Sequence, residues 1–139
     1  MKKREALAGE IAAAIDIWCS VPFSWGGGDC FLSLADIVWR ARGYDPALLF
    51  RDRYRTARGA ARVTRGFGGF AGAFEFVAES NGWNEIEPRK ALVGDVGLLI
   101  GKDSPRCGLI RHTALWVGRT MTGFAGVPTE QVARAWRVK

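Results

Sequence analysis

The sequence has one histidine and three cysteines among 139 residues, and these scarcities exclude more than the rest of the composition does. Structural and catalytic zinc sites draw on grouped Cys, His and acidic ligands. With a single histidine, no Cys-x-x-Cys pair and no His/Glu cluster, no metal site is expected, and nothing calls for another cofactor. Cys19, Cys30 and Cys107 are too few and too irregularly spaced for a disulfide framework, and an odd count leaves at least one free thiol. No apolar run approaches the roughly 20 residues that a membrane helix needs, so no membrane insertion is expected. Met1-Lys2-Lys3-Arg4 has the charge of a leader, but Glu5 and Glu10 interrupt the apolar stretch that a signal peptide requires. Synthesis in the cytoplasm without a signal peptide is therefore the expectation. Acidic residues are also short, 14 against 20 basic, which leaves a formal charge of +6. Such a balance favours acidic partners, whether nucleic acid, anionic membrane or bacterial envelope, without choosing among them.

What is present is ordinary globular composition, 48% apolar and 24% charged, in a chain long enough for one hydrophobic core. One domain spanning 1–139 is expected. From Lys3 to Trp18 the apolar residues Leu7, Ile11, Ala14, Ile15 and Trp18 recur at helical spacing. Pro22 ends that pattern, and Trp25-Gly26-Gly27-Gly28 makes a glycine-rich turn. Asp29 reads as an N-cap, followed by Phe31, Leu34, Ala35 and Val38 on one helical face until Gly43. Cys30 therefore falls in the first turn of a core helix. Residues 44–70 lack periodicity and hold Arg51, Arg53, Arg55, Arg58, Arg62 and Arg65, which reads as loop with short helical pieces. A third helix follows, with Phe70, Phe74, Val77 and Ala78 on one face and Asn81-Gly82 as its stop. Strands are expected at Val96–Ile100 and Thr113–Val117, with a turn from Gly101 to Gly108 between them. The tail from Thr129 to Lys139 reads as a helix through Val132, Ala133 and Trp136, with a strand at Trp136–Val138 as the alternative. Helices first and strands later imply an α+β domain.

A helix N-terminus stabilises a thiolate through unpaired N–H groups and its positive dipole end. The same N–H groups can hold the oxyanion of a tetrahedral intermediate, so Cys30 is the candidate nucleophile. The glycines before it leave room for substrate. Cys19 and Cys107 are read as structural, since free cysteine is among the most buried residue types. His112, at the expected start of a strand, is the candidate general base.

Pro22-Phe23-Ser24-Trp25-Gly26-Gly27-Gly28-Asp29-Cys30 resembles the nucleophile motif of the NlpC/P60 peptidases. Val93-Gly94-Asp95-Val96 resembles that family's Gly-Asp turn into its first sheet strand, and His112-Thr113-Ala114-Leu115-Trp116-Val117-Gly118 its catalytic histidine strand. The likeness is closest to the small phage and prophage branch, which also shares an Ala-Trp-Arg-Val ending. The resemblance implies a papain-like fold, with N-terminal helices on a small antiparallel sheet and the arginine-rich 44–70 stretch as an insertion. It implies a thiol peptidase or amidase that cleaves amide bonds of peptidoglycan stem peptides. Cys30 and His112 would be its catalytic residues, and Trp25, Gly27, Asp29 and Trp116 would position substrate. Phage members are carried in the virion tail and delivered to the host wall, so peptidoglycan peptide and tail proteins are the partners implied. A papain-like tail module without catalysis is the alternative.

The chain departs from that family's pattern in several places. Phe23 stands where tyrosine is common before the Trp-Gly-Gly turn, and Phe31-Leu32 where Ser-Gly commonly follows the nucleophile. No residue after Gly118 is an evident partner for the second nitrogen of His112. The arginines could contact phosphates, but the nearby Asp45 and Asp52 and the lack of an aromatic stacking series beyond Tyr54 suit a solvated loop better than a specific nucleic-acid site. Contact with acidic wall polymers or with another tail protein stands between these readings. Of the six tryptophans, Trp18, Trp39 and Trp136 fit core faces, whereas Trp25 and Trp116 are placed for a substrate groove.

Overall fold

The computed structural model describes residues 2–99 and 108–139. Cys107, the last residue of the Val96–Ile100 strand and all of the expected Gly101–Gly108 turn except Gly108, which opens a strand, lie outside the described residues. The fold is α+β, with four helices followed by a six-stranded antiparallel sheet.

The helices follow from local signals. α1 (Lys2–Ser20) buries Leu7, Ile11, Ala14 and Trp18, the apolar stripe read from the sequence. α2 (Cys30–Arg42) starts at the Asp29 cap and ends at Gly43, whose φ of 83° closes the helix in the left-handed conformation that glycine adopts without a Cβ clash. α3 (Ala57–Arg65) is capped by Thr56, whose side chain accepts from the Gly59 N–H, and buries no residue of its own. α4 (Phe70–Ser80) buries Ala73, Phe74, Val77 and Ala78 and stops at Asn81.

The strands are β1 (Asn84–Ile86), β2 (Val96–Leu99), β3 (Gly108–His112), β4 (Leu115–Thr120), β5 (Gly123–Val127) and β6 (Val132–Arg137), in the order β1-β6-β2-β3-β4-β5. The tail is a strand rather than a helix: β6 lies between β1 and β2 in the interior of the sheet. Val132 and Ala135 pack on one face while Trp136 and Val138 pack on the other. A register shift beside Leu98 and Leu99 lets both sets be buried and disguises the two-residue period. His112 ends β3 instead of opening a strand, because the hairpin turns at Thr113-Ala114 and β4 starts at Leu115. Thr113 takes a positive φ of 51° in that turn.

Alternation assigns the two sheet faces. Ile110 and Val117 face the helices and join the main core with Leu7, Leu32, Ile37 and Phe74. Leu109, Trp116, Val132 and Ala135 form a smaller core on the opposite face. Gly97 makes that second core possible, since a Cβ there would lie 2.9 Å from both the Trp116 ring and a Val132 methyl. Trp39, expected in the core, is 48% exposed, with the Arg51 guanidinium 5.3 Å from its ring centre.

The Gly94-Asp95 turn fastens three distant segments. Asp95 is 0% exposed. Its carboxylate accepts from Arg4 Nη1 at 2.8 Å, Arg137 Nε at 2.9 Å, the Leu92 N–H at 2.8 Å and the Val138 N–H at 3.2 Å. One side chain thus joins the start of α1, the entry to β2 and the end of β6.

Candidate functional site

Cys30 is buried at the first position of α2, beside a cleft of about 570 Å³. On one side the cleft is walled by Trp25, Asp29, Cys30 and Phe31; Phe50, Tyr54 and Phe70 contribute further, and Ala57, Ala60, Ala61, Thr64 and Arg65 of α3 form the opposite wall. The arginine-rich 44–70 stretch therefore supplies most of the cleft's lining. Its signal was present in the sequence: Ala57, Ala60, Ala61 and Thr64 are spaced i, i+3, i+4 and i+7, one face of a helix.

The turn before Cys30 is held by a single buried carboxylate. Asp29 Oδ1 accepts from the N–H groups of Phe31 at 3.0 Å and Leu32 at 2.8 Å. Its Oδ2 accepts from the Gly26 N–H at 2.9 Å and from the Tyr54 hydroxyl at 2.8 Å. Burial, with the Asp29 charge next, pushes the Tyr54 hydroxyl far above the usual tyrosine range, so it stays a phenol and a donor. Asp29 is accordingly a structural anchor of the Cys30 turn. Tyr54, from the arginine-rich stretch, thus brings a buried hydroxyl to the carboxylate beside Cys30. Tyr54 also packs backbone to backbone on Gly26, whose φ is 87°. A Cβ at Gly26 would strike the Tyr54 carbonyl oxygen. Gly26→Ala is expected to destabilise the protein by about 2–3 kcal/mol, since left-handed strain adds to that collision, and a lowered urea midpoint measures it.

Arg119 supports the same turn from the sheet. It is 4% exposed on β4, on the helix face that it shares with Val117. Its Nη2 donates to the carbonyls of Val21 at 2.5 Å and Pro22 at 3.1 Å, and its Nη1 to Ser33 Oγ at 3.5 Å. Burial lowers its pKa from the ordinary arginine value. The guanidinium fills the space that a side chain on Gly28 would need, with Nη1 2.7 Å from an added Cβ. Inward alternation from Val117 was the signal that could have found it.

The other expected site residues divide. Trp25 lines the cleft and meets Phe23 edge to face at 5.1 Å. Gly27 is exposed, and its N–H donates to the Ser24 carbonyl. Trp116 is fully buried in the core on the far face of the sheet, where its Nε1 donates to Thr129 Oγ1 at 3.1 Å, so it does not line the cleft. Gly108, at the start of β3, lies against the Cys30 carbonyl, and a Cβ there would be 3.7 Å from that oxygen. His112 is four residues farther along the strand, roughly 13 Å away at the usual rise. Its Nδ1 is buried without a hydrogen-bond partner among the described residues.

Among the described residues no group of three or more His, Cys, Asp and Glu side chains is gathered that could hold a metal ion, and no helix is long and apolar enough to cross a membrane. A family model for a domain of unknown function (DUF6950) matches residues 2–138, and the chain belongs to that family. No curated protein and no solved structure matches it.

Proposed function

We propose that this DUF6950 chain is a papain-like module of the NlpC/P60 type that takes a peptidoglycan stem peptide into the cleft at Cys30, as a component of a phage tail or tail-like particle. The observation that carries this reading is the Asp29-capped start of α2, which places Cys30 beside an open cleft directly after a Trp-Gly-Gly turn. Helices packed on an antiparallel sheet agree with the scaffold that the motif implies. The binding form of this function is the one the geometry supports best. Hydrolysis by a cysteine and histidine pair needs the two side chains within hydrogen-bond reach, and His112 stands a strand length from the Cys30 turn.

The second reading is the active peptidase, favoured by the position of Cys30 at a helix N-terminus. In it the Cys30 sulfur attacks the peptide carbonyl and N–H groups at the head of α2 hold the oxyanion. A base carries the thiol proton to the leaving amine, and water then releases the acyl group.

Titration with a soluble stem peptide and digestion of purified peptidoglycan separate the two readings. Ala61→Trp, which fills the cleft, is expected to weaken peptide binding at least tenfold, while wild type and His112→Ala bind alike and release no fragments. Fragment release by wild type that is lost in both Cys30→Ala and His112→Ala would establish the peptidase instead. Unchanged peptide binding by Ala61→Trp would remove the cleft as the peptide site.

A further inference from the structure

The outer face of α3 is not explained by the cleft. Arg58, Arg62 and Arg65 are exposed and fall on one side of this helix, opposite Ala60 and Val63, which pack toward the core. Arg55, also exposed, precedes the Thr56 cap. Among the described residues none of these four arginines is in an ion pair, whereas Arg4, Arg51, Arg134 and Arg137 all are. The stripe from Arg58 to Arg65 is about 10 Å long at the helical rise.

This arrangement works against the helix that carries it. Nine residues are marginal for a helix, and like charges four apart, as Arg58 and Arg62 are, repel. Arg62 and Arg65 lie in the last turn, where the helix dipole favours cations, but Arg58 lies in the first turn, where it does not. No acidic residue occupies that first turn. Local choices that oppose local stability without a compensating contact mark functional positions.

We infer that α3 presents a phosphate-binding stripe, and that its ligand is a linear polyol-phosphate polymer of the kind that decorates a bacterial wall. Arginine suits phosphate through its planar, bidentate donor fork. The stripe offers cations to about three successive anionic groups. No ring is stacked on these guanidinium groups among the described residues, and none projects from the stripe to stack on a base, so the contact reads a phosphodiester chain and not a nucleobase. Because Arg65 also lines the cleft, a chain lying on α3 passes the mouth of the Cys30 site. The phosphate stripe stands on α3, whereas the choice of a wall polymer as its ligand rests on the stem-peptide reading of the cleft.

The experiment is binding of a glycerol-phosphate oligomer to the full chain over a range of salt concentrations, with a random-sequence DNA duplex as the second ligand. Wild type is expected to bind the oligomer with a log–log salt slope of about −2, from about 0.7 per neutralised phosphate of a single-stranded polyanion. Arg58→Gln/Arg62→Gln/Arg65→Gln is expected to bind at least tenfold more weakly with a slope near zero, and Arg58→Gln alone to lose about one third of the slope. Amide exchange in α3 should slow when the oligomer binds. Cys30→Ala should bind the oligomer as wild type does, so a failed peptide site and a failed stripe are told apart. Equal affinity of wild type and the triple variant would overturn the inference. So would an equal loss in Arg40→Gln/Arg89→Gln, which removes charge elsewhere, or duplex binding tighter than oligomer binding at the same salt.

Discussion

Replacing Asp95 by alanine is expected to lower stability by about 3–4 kcal/mol, because truncating one member of a buried ion cluster leaves its partners unpaired. Asp95 accepts four hydrogen bonds, from two guanidinium groups and two backbone N–H groups. The arginines, with side chains 25% and 35% exposed, can turn to water, which keeps the loss below that of a fully enclosed pair. The Val138 N–H cannot, since its hydrogen bond is buried. In a domain of this size that loss lowers the melting temperature by roughly 10 °C. Asp95→Asn keeps the shape and part of the acceptor set, so it should fall between wild type and alanine. A melting temperature for Asp95→Ala within about 2 °C of wild type, some 0.5 kcal/mol, would show that the carboxylate does not clamp the chain ends.

Replacing Asp29 by alanine is expected to have a similar effect on stability, about 3 kcal/mol, and a larger one on the site. An N-cap alone contributes about 1 kcal/mol, and each donor left buried without a partner adds about as much again. Here the donors are the Gly26, Phe31 and Leu32 N–H groups and the Tyr54 hydroxyl. The cleft admits water to some of them, which limits the sum. Tyr54→Phe removes one bond and should cost about 1 kcal/mol. Both variants cut the Tyr54–Asp29 bond that ties the Cys30 turn to the segment leading into α3, so binding in the cleft should weaken more than stability does. Comparing stem-peptide affinity with the denaturation midpoint separates the two effects. Weakened stability with intact binding would mean that the Cys30 turn keeps its shape without the anchor.

Much of the site was legible because its determinants are local. The cap at Asp29, the helix from Cys30, the stop at Gly43 and the stripe from Leu7 to Trp18 each depend on residues a few positions apart. Their hydrogen bonds and apolar spacing are set by the helical repeat. The second wall of the cleft was less visible. Six arginines made 44–70 read as solvated loop with short helical pieces; α3 is such a piece, and the alanine spacing in Ala57–Arg65 marks the face that lines the cleft. The tail misled because both faces of β6 are buried, so its apolar residues follow no simple alternation.

The sequence by itself determined that Cys30 opens a capped helix, that helices precede strands, and that the chain carries unbalanced positive charge. Tertiary structure alone decided which residues share the site. Tyr54 meets Asp29 across 25 positions, Arg119 meets Ser33 across 86, and Asp95 meets Arg4 across 91. His112 and Trp116 were placed by the register of the β3–β4 hairpin, which sends one to the far end of the strand and the other to the far face. Strand pairing couples distant segments, and a shift of one residue exchanges the faces, so no local pattern could assign those positions in advance.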